Sequence, residues 1–300
     1  MTCDAIPPIL EKLEKQTARR LSPFLKWAGG KSQLLQTFDR YIPTKFGAYY
    51  EPFLGGGAVF LHLASKEKIT TAMLSDLNKD LINCYVVVRD RLEELLRRLA
   101  ELQTHARDKE YYYRVARRDF NRIKLETDME GDVEKAALLF YLNKTCYNGL
   151  YRVNQRGEFN VPWGRYRNPA IFDEENLRAV QAVLKRPGTT ILCDDYNRAT
   201  KSAVANDFIY FDPPYQPVSH TANFTSYTPQ SFEWRDQERL ADTYRQLAAR
   251  GCLLMLSNSP KVEKLYSRSG YRIERVRATR AISCVGSKRG PVEELLILNY

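Results

Sequence analysis

The sequence lacks the cysteine and histidine spacing of a metal site or a disulfide framework. Its 300 residues include six cysteines and three histidines. The cysteines are far apart, contain no C-x-x-C pair and have no companion histidines: Cys3, Cys84, Cys146, Cys193, Cys252 and Cys284. Isolated thiols of this kind are typical of a reduced cytosolic chain. We therefore expect no metal ion and no structural disulfide.

Long apolar runs, a signal-peptide core, internal repeats and low-complexity tracts are also missing from the sequence. No apolar stretch approaches the length that crosses a bilayer. Residues 1–20 have no apolar core of a secretory signal, and we predict that they form a polar N-terminal arm. These absences favour a soluble cytoplasmic protein with no membrane partner.

What the sequence does contain is positive charge and enough apolar residues for a large core. The net charge is +10, the pI is near 9.2 and 44% of the residues are apolar. The length suits one large domain, or one domain with an insertion. The positive charge favours a polyanionic partner.

The segment Asp212-Pro213-Pro214-Tyr215 follows the apolar run 208–211, which predicts a buried strand. Such a strand delivers the four residues to its carboxyl end, where ligands bind in open α/β sheets. Because proline has no backbone N–H, the Asp212 carboxylate and a main-chain carbonyl can converge as two acceptors. Two acceptors suit both protons of a planar amino group, and Tyr215 could stack on the ring that carries it. The alternative is a proline turn that only ends a strand.

A glycine loop with aromatic and basic neighbours spans residues 23–32, just before a predicted helix. Its two adjacent glycines let the backbone approach a ligand, with Trp27 and Lys31 beside them. Ser32 is a candidate N-cap for the helix. The G-x-x-x-x-G-K spacing of a P-loop is missing. The alternative is a turn that only caps the helix.

Residues 48–63 predict a strand, a glycine turn and a helix, the first half of a nucleotide-type βαβ unit. The turn begins at Gly55, and the next strand ends in Asp76, 21 residues later. An acid at that offset is placed to accept the ribose hydroxyls of an adenosine. A later strand, 190–193, leads to Asp195, a further acid that could meet the adenine amino group of such a cofactor.

Residues 143–166 predict a basic β-hairpin with its turn at 155–157. Residues 144–167 carry five basic side chains and one acidic side chain: Lys144, Arg152, Arg156, Arg165, Arg167 and Glu158. A basic two-stranded ribbon can enter the major groove and read bases, while Tyr147 or Trp163 could wedge into the duplex or stack. The alternative is an exposed basic hairpin that reads no sequence.

Other segments predict scaffold and surface contacts. Helical spacing of apolar residues predicts helices over 88–103 and near 133–142. Residues 216–228 are long, polar and aromatic, as in a mobile loop over a site. Four basic residues near the C-terminus are candidate phosphate contacts: Arg277, Arg280, Lys288 and Arg289.

Taken together, these motifs resemble the Dam-type DNA adenine-N6 methyltransferases of the D12 class. The resemblance extends from Pro23 to the C-terminus, and four blocks in the order of that family carry it. The blocks are FLKWAGGK (24–31), EPFLGGGAVFL (51–61), CYNGLYRVNQRGEFNVPWGRY (146–166) and DPPY (212–215). The hairpin block is the most specific, since the others occur in several branches of methyltransferases. It has Trp163 where that family usually has phenylalanine.

The resemblance implies roles for particular residues. S-adenosyl-L-methionine would bind at Trp27, Lys31, Glu51, Phe53, Gly55, Asp76 and Asp212. The target adenine would bind at the catalytic residues Asp212, Pro213, Pro214 and Tyr215. The DNA-binding residues would be Asn148, Leu150, Arg152 and Pro162 as base readers, Tyr147 as a wedge and Lys26 at an outer guanine. The resemblance also implies GATC as the target sequence and extrusion of the adenine from the duplex.

The predicted fold is therefore α/β, a Rossmann-like S-adenosylmethionine-dependent methyltransferase sheet with an inserted domain. Residues 21–86 and 177–300 would form the catalytic domain, and residues 87–176 a helical and β-hairpin target-recognition domain. We expect a monomer that binds double-stranded DNA and associates with the nucleoid. A role beside a restriction nuclease and a solitary role both fit this interpretation.

Two other functions stay open on the sequence alone. A methyltransferase for another amine, in RNA or in a protein glutamine, would use the DPPY pocket but would have no need of the hairpin. A DNA-binding protein without catalysis would keep the hairpin, but intact Asp212, Tyr215 and Asp76 argue against it. Activity on protein or RNA, with none on duplex DNA, would favour the first function. A cofactor titration that shows no binding would favour the second.

Overall fold

The computed structural model describes residues 21–126, 131–215, 232–279 and 291–300, and its centre is a seven-stranded sheet. The strands are β1 (Tyr49–Glu51), β2 (Ala72–Ser75), β3 (Thr189–Leu192), β4 (Phe208–Phe211), β5 (Leu253–Asn258), β6 (Arg272–Thr279) and β7 (Pro291–Leu298). Their order is β3-β2-β1-β4-β5-β7-β6. Strands β1 to β5 pair in parallel, and β7 runs antiparallel to β5 and β6. The predicted α/β sheet is confirmed, and it is mixed and mostly parallel.

The order of the strands reverses between β1 and β4. From β1 the chain continues outward to β2 and β3, whereas β4 leads to β5 on the other side. The two central strands pair through Tyr49 with Phe208 and Tyr50 with Ile209. In open α/β sheets, ligands bind outside the carboxyl ends of the strands at such a reversal. Asp212 leaves β4 at this end, beside the residues that follow Glu51.

Strand β4 is apolar along its whole length because both of its faces are covered. Its four side chains, Phe-Ile-Tyr-Phe, are all buried. Alternate side chains enter the two separate hydrophobic clusters of the molecule, Tyr210 on one face and Phe211 on the other. The one polar side-chain group of this strand, the Tyr210 hydroxyl, lies 2.9 Å from the Ser257 hydroxyl on β5. Because both faces of β4 are packed, the backbone position from which Asp212 leaves the sheet is fixed.

Eleven α-helices are found in the described ranges. They are α1 (Leu35–Phe38), α2 (Ala58–Ser65), α3 (Lys79–Asp90), α4 (Leu92–Gln103), α5 (Lys109–Tyr111), α6 (Arg117–Glu126), α7 (Val133–Thr145), α8 (Glu174–Leu184), α9 (Tyr196–Ala199), α10 (Trp234–Ala249) and α11 (Glu263–Tyr266). A π-helical stretch, Tyr112–Ala116, joins α5 to α6. The N-caps of α3, α7 and α8 are Asn78, Asp132 and Asp173, whose side chains accept from the backbone three residues on.

Two details of the sequence-based helix predictions are wrong. Ser32 is not an N-cap, because α1 begins at Leu35 and no side chain caps it. The helix expected over 88–103 is divided at Arg91, where α3 ends and α4 begins. Arg91 leaves the helical region at φ −130° and ψ 35°, and its guanidinium bonds to Glu94 and to the Gly131 carbonyl.

The segment between β2 and β3 is mostly helical, and its apolar side chains continue the core of the sheet. Leu95 on α4 and Leu139 on α7 belong to the same buried cluster as Leu74 on β2. The domain boundaries expected at 86/87 and 176/177 fall inside α3 and α8. The division into a catalytic and a recognition domain stays a prediction.

The predicted hairpin is held by separate hydrogen bonds and two isolated bridges. The bridges join Cys146 to Trp163 and Val153 to Phe159. At the turn, the Asn154 N–H donates to the Glu158 carbonyl and the Gly157 N–H to the Asn154 carbonyl, both at 2.9 Å. Gly157 has φ +78°, a value that favours glycine. The turn is therefore where the sequence predicts it.

Some predicted features lie outside the described residues. They are the polar arm 1–20, the loop 216–228, and the basic residues Arg280, Lys288 and Arg289. In the remaining ranges, every helix is too short or too polar to cross a bilayer.

Candidate active site

The centre of the candidate site is an ion pair between two residues 181 positions apart in the chain. Lys31 Nζ lies 2.7 Å from Oδ1 and 2.8 Å from Oδ2 of Asp212, and it also donates to the Gly29 carbonyl at 2.8 Å. The Lys31 side chain is 5% exposed and that of Asp212 is 19% exposed. Burial raises the pKa of the Asp212 carboxyl to about 6, against the lowering effect of Lys31. The structure thus joins the glycine loop to the end of β4.

Tyr215 lies against the same ion pair. Lys31 Nζ is 5.1 Å from the centre of its ring, and its hydroxyl donates to Glu294 Oε2 at 2.8 Å. Burial, with the nearby charges of Asp212 and Glu294, raises the pKa of Tyr215 well above its usual value. The phenol is therefore protonated at neutral pH and holds the ring through its hydrogen bond.

Sequence reasoning missed Glu294. It lies on β7 and is only 8% exposed, while the adjacent Glu293 points outward and pairs with Arg275. An acid at a buried position of an otherwise apolar strand was the available signal, since Val292 and Leu295 to Leu298 flank the two glutamates. Its partner could not be read from the sequence.

The two prolines between Asp212 and Tyr215 differ in their carbonyl partners. The Pro214 carbonyl accepts from Gln237 Nε2 at 3.0 Å. No described residue donates a hydrogen bond to the Pro213 carbonyl. The carbonyl next to Asp212 is therefore open to a ligand as far as the described residues are concerned.

The glycine turn after β1 contacts Asp76, the acid at the end of β2. Asp76 accepts from the backbone N–H of Gly55 and of Asn78, each at 2.9 Å. Burial raises the pKa of Asp76, and these two N–H groups oppose that rise. Gly55 has φ +48°, and a Cβ atom there would lie 3.0 Å from Cδ1 of Trp27. Trp27, Gly55 and Asp76 therefore lie next to one another and form one wall of the candidate cofactor site.

Glu51 and Phe53 lie at and just after the end of β1, shortly before Gly55 in the chain. Glu51 is 3% exposed, and its Oε2 accepts from the Tyr49 hydroxyl at 2.7 Å and the Phe60 N–H at 2.9 Å. Burial, with a smaller contribution from Asp212, raises the pKa of Glu51 to about 8 despite these two donors. Glu51 is thus mainly protonated at neutral pH. The ring of Phe53 stacks on Tyr196 with 5.3 Å between centroids.

Asp195 already has two partners. Its Oδ1 accepts from the Asn197 N–H at 2.9 Å and so caps α9, and its Oδ2 lies 3.0 Å from the Arg239 guanidinium. An adenine amino group would have to share this carboxylate with Arg239. The expected contact between Asp195 and the cofactor stays a prediction.

Lys26 connects the glycine loop to the hairpin. Its backbone N–H donates to Asn143 Oδ1 at 2.8 Å, and Asn143 Nδ2 returns bonds to the carbonyls of Lys26 and Gly149. The Lys26 ammonium lies 4.6 Å from the centre of the Tyr166 ring. Gly149 has φ +64°, and a Cβ there would collide with the Lys26 side chain. The two motifs are thus built against each other.

The structure places the predicted base-reading residues along the hairpin. Tyr147 and Pro162 are exposed and adjacent, since the Tyr147 N–H donates to the Pro162 carbonyl at 2.8 Å. Arg152 is half-buried, and its Nε donates to Asn160 Oδ1 at 2.7 Å. Asn148, with φ +55°, and Leu150 are also half-buried. The contacts leave these side chains on the surface of the hairpin.

Trp163, the other wedge considered from the sequence, packs inward. Its ring meets Tyr112 edge-on with 5.3 Å between centroids, and its backbone N–H donates to the Tyr113 hydroxyl at 3.1 Å. Its partly buried ring is part of the packing beneath the hairpin. Tyr147 is the exposed ring of the two.

A second buried charge, which sequence reasoning missed, lies beneath the hairpin. Asp80 on α3 is 3% exposed and accepts from Lys124 Nζ on α6 and from the Tyr151 hydroxyl. The Tyr151 ring stacks on Trp27 with 5.4 Å between centroids. The network therefore connects the base of the hairpin to the wall that contains Gly55.

Comparison with known proteins agrees with this geometry. The model of the D12 class N6 adenine-specific DNA methyltransferases matches residues 27–282, and the chain belongs to this family. It is 46% identical over 295 residues to the Type II methyltransferase M.MjaIII of Methanocaldococcus jannaschii, covering 93% of this chain and 99% of that protein.

Two bacterial relatives extend the comparison. The Type II methyltransferase M1.LlaDCHI of Lactococcus lactis is 41% identical over 282 residues, covering 93% of this chain and 96% of its own length. The DNA adenine methylase of Escherichia coli is 36% identical over 277 residues, covering 92% and 94%. The protein is thus an adenine-specific DNA methyltransferase, and the family inferred from the four sequence blocks is confirmed. Within the described ranges, no group of three His, Cys, Asp or Glu side chains could hold a metal ion.

Proposed function

We propose that the enzyme transfers a methyl group from S-adenosyl-L-methionine to N6 of an adenine that is flipped out of a GATC site in duplex DNA. The observation that carries this proposal is the acceptor pair at the carboxyl end of β4. The half-buried Asp212 carboxylate there adjoins a Pro213 carbonyl to which no described residue donates a hydrogen bond. The Tyr215 ring lies beside this pair, where it would stack on the ring of the adenine. The sheet position is the one at which α/β folds bind ligands.

The residues beside Asp212 suit S-adenosyl-L-methionine. The donor carries an adenosine, an α-carboxylate and an ammonium, and these need an approachable backbone, an acid for the ribose and charges of both signs. Gly55 supplies the close approach, Asp76 the acid, and Lys31 with Asp212 the two charges. When bound, the donor supplies an electrophilic methyl group. Trp27, beside Gly55, would line the donor pocket together with Glu51 and Phe53.

Asp212 and Pro213 would bind the adenine amino group directly. Each of the two N6 protons donates to one acceptor, which draws the nitrogen toward tetrahedral geometry and makes its lone pair available for attack. The proton that N6 loses passes to the ionised Asp212 carboxylate, whose pKa near 6 suits a base at neutral pH. Lys31 has to give up part of its contact with Asp212 for this, and the donor's α-carboxylate is an alternative partner for its ammonium.

Recognition of the target would fall to the hairpin and its helical support at 87–176. Arg152, Asn148, Leu150 and Pro162 would contact base edges, and Lys26 an outer guanine. Tyr147 would enter the stack where the adenine leaves it. Their placement on one hairpin, tied to the glycine loop through Asn143, supports this assignment. The net charge of +10 favours the duplex partner.

The test is transfer of tritiated methyl groups from S-adenosyl-L-methionine to matched duplexes. One duplex contains GATC, a second has the GATC adenine of both strands replaced by 2-aminopurine, and a third carries one exchanged base pair in the site. We expect label in the first duplex only. Label in the second would mean that N6 of these adenines is not the acceptor. Equal label in the first and third would contradict GATC recognition.

A further inference from the structure

A hydrogen bond from helix α10 holds the tail of the DPPY segment. Gln237 Nε2 donates to the Pro214 carbonyl at 3.0 Å, and the Gln237 side chain is completely buried. A buried amide is retained only where its polar atoms find partners. One of those partners is the backbone between Asp212 and Tyr215.

The orientation of this amide is set by a second amide at the end of β5. Asn258 Nδ2 donates to Gln237 Oε1 at 2.9 Å, and Asn258 Oδ1 accepts from the Ser259 N–H at 2.8 Å. Asn258 is also completely buried. Because Asn258 turns an N–H group toward the Gln237 oxygen, the Gln237 nitrogen has to face the Pro214 carbonyl. The order of donors is fixed along the whole chain of bonds.

Holding the Pro214 carbonyl also fixes the direction of the Pro213 carbonyl. The proline ring locks φ of residue 214 near −65°, and the peptide bond between the prolines is planar. The only backbone rotation left between the two carbonyls is ψ of Pro214, which the bond to Gln237 restrains. Gln237 can therefore aim the Pro213 carbonyl without touching it.

We propose that Gln237 and Asn258 are positioning residues for methyl transfer, which set the geometry of the acceptor pair formed by Asp212 and the Pro213 carbonyl. This inference rests on the proposed function, in which that pair binds the N6 amino group. It assigns a part in the reaction to α10 and to the end of β5, neither of which contributes a predicted site residue. Loosening the bond would leave adenine and cofactor bound while the amine is held in the wrong direction.

The experiment compares Gln237→Met, Gln237→Glu and the control Gln246→Met, which replaces an exposed glutamine of the same helix. Single-turnover methyl transfer is measured with saturating S-adenosyl-L-methionine and GATC duplex, beside the dissociation constants of both. For Gln237→Met we expect the transfer rate to fall by about ten- to a hundredfold, with both dissociation constants within about threefold of the parent. Gln246→Met should match the parent enzyme.

Gln237→Glu separates positioning from a purely structural role. An ionised glutamate places oxygen against the Pro214 carbonyl, whereas a protonated one donates an O–H to it and still accepts from Asn258. The ratio of the variant's rate to the parent's should therefore rise as the pH falls, although Asp212 protonation slows both enzymes. For Gln237→Met the same ratio should stay constant. A constant ratio for Gln237→Glu overturns the proposal, even if Gln237→Met does not fold.

Asp212→Ala, assayed in parallel, keeps the two proposals distinct. If Asp212→Ala abolishes transfer but Gln237→Met leaves the rate unchanged, the positioning proposal alone is wrong. If Asp212→Ala transfers methyl groups at the parent rate, the acceptor pair itself is wrong and Gln237 has nothing to position. Asn258→Asp removes the donor to Gln237 and should lower the rate less than Gln237→Met does.

Discussion

The end of β4 and the basic hairpin are both predicted functional regions, but they are stabilised in different ways. Around Asp212, buried groups from distant parts of the chain meet: Lys31, Gln237, Asn258 and Glu294. The turn of the hairpin is held mainly by bonds between near neighbours, such as Arg152 with Asn160 and Asn154 with Glu158. The base of the hairpin is bonded to distant residues, Tyr151 to Asp80 and Trp163 to Tyr113. The proposed chemistry thus depends on long-range contacts between buried groups, and the proposed reading of bases on a more exposed turn with local contacts.

This contrast has a physical basis. A methyl transfer depends on the angle of attack, and a misplacement of about 1 Å can cost 10²-fold in rate. Base reading depends on side chains that reach out of the protein surface into a groove. Buried partners serve the first need, and half-buried side chains on a short turn serve the second. Substitutions in the two regions should therefore affect different measured quantities.

The largest effect is expected at the end of β4. Asp212→Ala should lower the single-turnover rate of methyl transfer by about 10²- to 10⁴-fold. The variant lacks one of the two acceptors for N6 and the carboxylate that takes up the proton released from N6. The dissociation constant for the GATC duplex should change by less than about threefold, since the hairpin is untouched. Filter binding and tritium incorporation measure the two quantities. Asp90→Ala, at an exposed carboxylate on α3, is the control.

A substitution in the hairpin should have the opposite pattern of effects, with altered sequence discrimination and intact methyl transfer. Arg152→Ala should reduce discrimination between GATC and a duplex with one exchanged base pair by about ten- to a hundredfold, the value of one bidentate base contact. Transfer at saturating duplex should persist, because the acceptor pair is intact. Competition between the two duplexes gives the ratio. Arg156→Ala, at the exposed turn, should leave it unchanged, and undiminished discrimination in Arg152→Ala would mean that another residue reads the base.

The pH dependence of methyl transfer also distinguishes the two regions, because we expect it to follow the protonation of Asp212 at the end of β4. Asp212 has a pKa of about 6, raised by burial, and only its ionised form can take up the proton that N6 loses. The rate should therefore fall below about pH 6, by roughly tenfold for each further unit. In Lys31→Met the opposing charge is lost, so the acid limb should move to higher pH. An acid limb at the same pH in this variant would show that Lys31 does not control Asp212.

The smallest effect is expected where the two regions meet. Tyr151→Phe removes a hydroxyl that donates to the buried Asp80, so the free energy of unfolding should fall by about 1–3 kcal/mol. Lys124 remains as a partner, which favours the lower value. Urea denaturation measures the change. The same substitution at Tyr147, which is 45% exposed, should alter stability by less than about 0.5 kcal/mol.

Much of the fold could be predicted because it follows from local patterns. The apolar run before Asp212 predicted a buried strand, and parallel-sheet geometry then placed Asp212 at the ligand edge. The spacing of Gly55 and Asp76 predicted that they belong to one βαβ unit with a shared ligand, and the structure joins them by a 2.9 Å hydrogen bond. Such features depend on periodicity and turn chemistry within some twenty residues.

The partners of buried polar groups could not be predicted from these patterns. Gln237 occurs in a helix rich in polar residues, and only the packing of α10 against β4 and β5 shows that it is buried. Asp80 has the position of an ordinary first-turn acid, yet α6 and the hairpin cover it. Trp163 was a candidate wedge until the aromatic cluster around Tyr112 showed where it packs. Each pairing joins residues far apart in sequence.

A crystal structure of the enzyme with a GATC duplex and S-adenosylhomocysteine, the product of methyl donation, would test the proposed mechanism most directly. We expect an extrahelical adenine whose N6 lies about 2.7–3.2 Å from both an Asp212 oxygen and the Pro213 carbonyl. Tyr215 should stack on its ring, and Gln237 should remain bonded to Pro214. An adenine still stacked in the duplex, or an N6 bonded to other groups, would contradict the proposed mechanism.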